Sequence, residues 1–157
     1  MKNLTLTLFL FVLFSVSSWG QKALIWHTDM NEAFEIASKE NKPLMLFFTG
    51  SDWCGWCIRL QNEVFKTSDF ETWAKENVVL VELDFPRKTA LDRNTQIQNY
   101  QMQKMFQVRG YPSILFAKPE MMTDGKKNLK NLGRTGYVRG GPDKWLAVAD
   151  NIVGQSY

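Results

Sequence analysis

Cys54 and Cys57 are the only cysteines in the chain, and they stand two residues apart in Ser51-Asp52-Trp53-Cys54-Gly55-Trp56-Cys57. Thiols at that spacing can bind a metal, lock a turn or carry electrons. The apolar run at 43–48 reads as a buried strand and the apolar spacing over 54–65 as a helix, so Cys54 falls at a strand-to-helix junction. There, unpaired backbone N–H groups and the positive end of the helix dipole stabilise a thiolate and lower the pKa below the ~8.5 of free cysteine. Cys57 lies one turn further in, so the pair can open and close a small disulfide ring without moving the fold.

Other uses of the pair fit less well. A structural zinc site normally takes four protein ligands, whereas the chain offers two Cys and the single histidine, His27. A static disulfide over so short a loop removes little entropy from the unfolded chain, and it leaves Trp53 and Trp56 beside the sulfurs without a reason. A redox couple accounts for the junction, the spacing and the aromatic neighbours together. His27 reads as a surface or strand-end residue rather than a catalytic one. Met102, Met105, Met121 and Met122 suggest core filling or a soft contact surface, although with two thiols they also permit Cu(I) handling. Lys126, Lys127 and Lys130 read as a solvated hairpin face.

Holding such a pair in place takes a rigid sheet, and the remaining sequence supplies its elements. Met1-Lys2, an apolar run at 4–16 and then Ser17-Ser18-Trp19-Gly20 form the pattern of a secretory signal peptide, the run being shorter than the ~20 residues that span a bilayer. Residues 1–20 are therefore expected to be a leader and 21–157 one domain. Export would place the thiols in an oxidising compartment, where an exposed pair stays closed unless a partner reduces it. Without the leader the chain has 18 basic and 16 acidic residues, too even a balance to argue for nucleic acid or an anionic membrane surface.

Residues 23–26 read as a short strand, and Asp29 with Glu32 as the capping box of a helix to about Lys39 with Ala33, Phe34, Ile36 and Ala37 on its apolar face. The strand at 43–48 should be central, because a nearly continuous apolar run suits a strand covered on both faces. After Cys54 the expected inward positions are Ile58, Leu60 and Val64. Ser68 and Glu71 repeat the capping spacing before a helix to Glu76, and 78–83 reads as a second central strand. A polar loop at 86–94 leads to a helix containing Ile97, Tyr100, Met105 and Phe106. A strand at 113–117 joins a weaker one near 128–132 through Pro119 and Asp124-Gly125, as a hairpin. Gly140-Gly141-Pro142-Asp143 starts a last helix with Trp145, Leu146, Val148, Ala149 and Ile152 on one face.

With Trp53-Cys54-Gly55-Trp56-Cys57 after a central strand, and Val108-Arg109-Gly110-Tyr111-Pro112-Ser113 before an apolar strand and hairpin, the chain resembles the thioredoxin superfamily over nearly all of 23–153. Within it, the likeness is to exported bacterial thioredoxin-like proteins carrying Gly-Ser-x-Trp-Cys-x-x-Cys. The resemblance implies an α/β thioredoxin fold, a central mixed β-sheet flanked by α-helices, with the dithiol at the start of the second main helix. It implies a cis peptide bond before Pro112, and a Tyr111 backbone free to pair with an extended substrate strand beside Cys54. It also implies that Cys54 attacks a target disulfide and Cys57 resolves the mixed disulfide, with the redox-active pair itself in place of any cofactor or metal. Trp53, Gly55, Trp56, Tyr111 and Pro112 then form the substrate-binding surface, the two tryptophans as an apolar platform.

Two departures stand out. Where the superfamily carries a buried acid and a neighbouring lysine, this chain has Phe47 or Phe48 and Leu80, leaving Glu82 or Asp84 as candidates to take the Cys57 proton. Gly55-Trp56 has neither the proline typical of reductants nor the histidine typical of strong oxidants, so the direction of electron flow is open. The expectation is a monomeric, exported, periplasmic or extracellular thiol–disulfide oxidoreductase that is reductase-like. Its partners would be protein thiols and disulfides and a membrane electron carrier. The alternatives are a non-catalytic binding module with a static disulfide and a Cu(I)-handling protein.

Overall fold

A computed structural model of the chain describes residues 24–154; the leader expected at 1–20 lies outside the described residues. The sheet is organised on β2 (Leu44–Thr49), whose six residues are all buried. β3 (Val79–Asp84) runs parallel to it on one side and β4 (Ser113–Met121) antiparallel on the other. β1 (Trp26–His27) and β5 (Lys127–Thr135) form the edges, giving the order β1-β3-β2-β4-β5.

Alternation along β2 sorts the core into two layers. Met45 and Phe47 face a cluster with Cys54, Cys57, Leu60, Val64, Phe70, Trp145 and Ala149. Those residues come from α2 (Gly55–Leu60), the π-helical turn Gln61–Phe65 that continues it, α3 (Ser68–Asn77) and α5 (Gly141–Val153). Leu44, Leu46 and Phe48 face the other layer, built on Met30, Ala33 and Ala37 of α1 (Met30–Glu40) and on Phe106 just after α4 (Arg93–Met105). Helices on both faces explain why β2 tolerates no polar interruption until its last residue.

Most of the expected elements are present, and the differences have local causes. β1 starts at Trp26, where pairing with Leu80 begins. Asp29 caps α1 as expected, its carboxylate accepting the Asn31 and Glu32 N–H groups. The cap of α3 is Thr67 rather than Ser68, because Thr67 Oγ1 accepts the Phe70 N–H. Ile58 is 43% exposed rather than inward: Cys57, Leu60 and Val64 already form the buried stripe, and Ile58 lies about 100° round the helix from Cys57. Ile97, Tyr100 and Met105 are exposed on α4, which instead buries Asn99, whose Nδ2 donates to the Asp84 carbonyl. Pro119 sits inside β4 opposite Leu129 instead of ending it. β2 stops pairing with β4 at Ala117, so a residue without an N–H is accommodated beyond that point.

Trp145 is fully buried at the centre of the α5 layer, with the Phe65, Phe70, Trp73 and Phe116 rings 5.2–6.5 Å away and its Nε1–H donating to the Gly136 carbonyl. Trp145→Ala should cost about 3–5 kcal/mol in denaturant unfolding, whereas Ile97→Ala on exposed α4 should stay within about 0.5 kcal/mol. Equal losses would contradict this placement of the core.

Candidate active site

The turn between β2 and α2 sets the position of both sulfurs. Thr49 ends β2, and the next carbonyl, Gly50 O, accepts N–H bonds from Trp53 at 3.2 Å and Cys54 at 2.8 Å. A Cβ on residue 50 would lie 2.4 Å from Trp53 Cε2, so glycine is what lets the indole fold back over the turn. Cys54 is the N-cap of α2, and its sulfur accepts the Cys57 N–H at 3.2 Å. The two cysteines form a disulfide with Cα atoms 5.2 Å apart. Cys54 retains 6% exposure and Cys57 none. Gly55 between them is exposed, and a Cβ there would meet nothing within 4 Å.

Each tryptophan of the motif is held beneath an arginine. Trp53 donates from Nε1 to the Phe85 carbonyl at 2.8 Å, packs edge-on to Tyr111 with centroids 5.7 Å apart, and carries the Arg87 guanidinium 3.8 Å above its ring. Asp52 fastens that side: its carboxylate accepts the Arg87 and Lys88 N–H groups, and these, Arg87 first, hold its pKa below the usual 3.8. Trp56 is 52% exposed and leans on Tyr137 at 5.1 Å. Arg59 lies over both rings at 5.4 and 5.3 Å and donates to Glu63. The Tyr137 hydroxyl also donates to Glu63, and this bond, followed by that of the arginine, lowers the pKa of the carboxylate. The expected platform is thus two separate aromatic–cation clusters on either side of the disulfide.

Tyr111 joins Pro112 through a cis peptide bond, in keeping with the resemblance. Its ring also packs on Phe85 at 5.3 Å, and its hydroxyl accepts the Gln103 amide at 2.6 Å. Burial is the main cause that pushes its pKa up to about 12, so it stays neutral at physiological pH. Between Tyr111, Trp53 and the loop after β3 lies a groove of about 570 Å³, floored by Phe85 and Asn99 and rimmed by Arg87 and Lys88. Phe48 pairs with Ser113, which brings the Tyr111–Pro112 segment to the end of β2 next to the Cys54 turn.

Phe47, not Phe48, shares the sheet face of Cys57, and its partner across the β2–β3 register is Glu82. Among the described residues neither candidate proton acceptor is hydrogen bonded to Cys57. Asp84 is taken by the Ser51 N–H and hydroxyl. Glu82 borders a separate cavity of about 250 Å³ with Trp26, Phe47, Gln61, Phe65 and Lys66. Burial, and then the charge of Asp84, raise its pKa above the usual 4.5. The methionines do not gather at the thiols: Met102 packs in the opposite layer, while Met121 and Met122 lie at the β4–β5 turn. His27 lies 3.7 Å from Glu32 on edge strand β1. Sequence reasoning missed Arg59, Glu63, Tyr137, Arg87 and the role of Asp52. The Arg59–Glu63 spacing of four on a helix was a readable signal, whereas the contacts of Arg87 and Tyr137 arise only from tertiary structure.

A family model described as a thioredoxin-like domain matches residues 30–145. The disulfide bond reductase DsbH of Chlamydia pneumoniae is 36% identical over 122 residues, which cover 78% of this chain and 69% of that protein. The thioredoxin-related protein DsbJ of the same organism is 26% identical over 118 residues, 75% of this chain but 34% of that protein. Among solved structures, a DsbH oxidoreductase aligns with a TM-score of 0.72 and 31% identity over 83% of this chain and 85% of that one. A thioredoxin from Thermus thermophilus aligns with a TM-score of 0.59 and 16% identity over 82% and 86%, a likeness of fold.

Two substitutions test the arrangement. Gly50→Ala should expel the Trp53 indole from its bond to Phe85, seen as a red-shifted tryptophan emission and lower stability; an unchanged spectrum would contradict the close packing. Because the Glu82 pKa is raised on folding, its stabilising contribution is present below the ordinary carboxyl value and lost as pH rises through the raised one. Glu82→Gln should therefore raise the melting temperature at about pH 7 and leave it unchanged near pH 3.5, where the carboxyl is protonated in both states. The reverse ordering would contradict the assigned shift.

Proposed function

The chain belongs to the thioredoxin-like family, and from that premise we propose that it is an exported thiol–disulfide oxidoreductase that reduces disulfides in other proteins. The observation that carries this reading is the asymmetric disulfide at the N-terminus of α2: Cys54 caps the helix and reaches the surface, while Cys57 is wholly buried. In the reduced protein the Cys57 N–H and the helix dipole favour a thiolate at Cys54.

That thiolate attacks one sulfur of a target disulfide, forming an intermolecular S–S bond and releasing the other target sulfur, which takes up a proton. Cys57 then loses its proton and attacks Cys54, freeing the second target thiol and closing the Cys54–Cys57 disulfide, so two electrons have passed to the target. A dithiol on a membrane electron carrier returns the pair to the reduced state and is itself oxidised. The Tyr111 N–H and C=O make no hydrogen bond among the described residues, so they can pair with an extended target segment, and the Trp53–Tyr111 groove takes its side chains. The reductive direction is supported by the likeness to DsbH, which is a disulfide bond reductase. Export is supported by the leader pattern of residues 1–20, and no described helix is long and apolar enough to cross a membrane. The protein would act as a monomer.

Cys57→Ser should trap mixed disulfides through Cys54 that dithiothreitol releases, and Cys54→Ser should trap none. Recovery of no mixed disulfide from cells producing Cys57→Ser would overturn the reading.

A further inference from the structure

Thr49 Oγ1 is the only buried side-chain nitrogen or oxygen among the described residues that lacks a hydrogen-bond partner. The residue is 0% exposed and is the sole polar member of the otherwise apolar strand β2. A buried hydroxyl without a partner carries a desolvation cost with no return, and calls for a reason. Its place supplies one. By strand alternation Thr49 faces the side of Met45 and Phe47, the layer that contains both cysteines. It pairs with Asp84 on β3, and continuing the Phe48–Ser113 register brings Pro112 level with it on the other side. Thr49 is therefore on the cysteine-bearing face of the sheet, immediately before the turn that carries Cys54.

The two sulfurs are not equally provided for. Cys54 Sγ accepts the Cys57 N–H, whereas Cys57 Sγ, wholly buried, receives no hydrogen bond among the described residues. We propose that the Thr49 hydroxyl is a positioning residue for the reduced state, the hydrogen-bond partner of the Cys57 sulfur once the disulfide opens. Reduction takes two electrons and two protons from a donor dithiol, which becomes a disulfide. The S–S bond is replaced by a thiol at Cys57 and by a thiol at Cys54 or, once its proton has passed to solvent, a thiolate. The Cys57 S–H then donates to Thr49 Oγ1, and when that proton passes to the departing target thiolate in the resolving attack the hydroxyl rotates to donate to the sulfur. The hydroxyl is unpaired in the disulfide form and paired in the dithiol form, so it biases the couple toward the dithiol.

This inference rests on the exchange reading, and one experiment separates the two. Wild type, Thr49→Val and Thr49→Ser are equilibrated with glutathione buffers at fixed pH, and the dithiol-to-disulfide ratio is read by thiol alkylation. Thr49→Val keeps the shape without the hydroxyl and should lower that ratio about tenfold at a given buffer poise, a shift of ~30 mV to a more negative potential. It should also raise the melting temperature of the oxidised protein but not that of the reduced one. Thr49→Ser keeps the hydroxyl and should hold the ratio within about twofold of wild type, even if the lost methyl lowers the stability of both forms. A Thr49→Val ratio equal to wild type, or equal changes in the melting of the two forms, would overturn the role assigned to Thr49 while leaving exchange intact. A wild-type pair that does not respond to glutathione at all would overturn the exchange reading and this inference with it.

Discussion

The site depends on one constraint, the tie between the end of β2 and the first turn of α2 through the Gly50 carbonyl. That oxygen holds the N–H groups of Trp53 and Cys54, so the helix that carries the dithiol starts at a fixed point on the most buried strand of the sheet. The remaining polar groups of the turn are anchored to the far end of β3 and the loop after it: Ser51 to Asp84, Asp52 to the Arg87 and Lys88 N–H groups, and Trp53 to the Phe85 carbonyl. The turn is secured at all of these points besides the disulfide itself. The helix dipole and the capping N–H are thereby aimed at the Cys54 sulfur from a fixed turn.

The same frame gives the two sulfurs different surroundings. The stripe Cys57, Leu60 and Val64 turns the second cysteine wholly into the core, while the N-cap position leaves the first with 6% exposure. The neighbouring aromatic rings are paired with cations: Trp53 and Trp56 each lie under an arginine, and each arginine belongs to a local polar network. Rings held in this way offer apolar contact area to a polypeptide at little cost in side-chain freedom.

How much of this was legible in the sequence varied with the range of the interaction. The Cys54–Cys57 junction, the central strand at 44–49 and the cap at Asp29 are set by local patterns, and the structure places them where those patterns indicated. Ile58 misled because periodicity does not say how wide a buried stripe is. Cys57, Leu60 and Val64 fill the one on α2, and α4 is fixed instead by the buried Asn99 amide and by Phe106 beyond its end. Whether Phe47 or Phe48 shares the cysteine face could not be read before the register was known, since a shift of one residue exchanges the faces of a strand. Arg87 over Trp53, Tyr137 on Glu63 and the unpaired Thr49 hydroxyl bring together residues distant in the chain, and no local signal marks them.

The most direct measurement is the acidity of each thiol in the reduced protein, followed by thiolate absorbance with the single variants Cys54→Ser and Cys57→Ser. The account predicts that Cys54 titrates well below the ~8.5 of a free cysteine and that buried Cys57 titrates above Cys54. A Cys54 pKa at or above that of free cysteine, or a Cys57 that ionises first, would contradict the claim that the capped end of α2 makes this pair an exchange site.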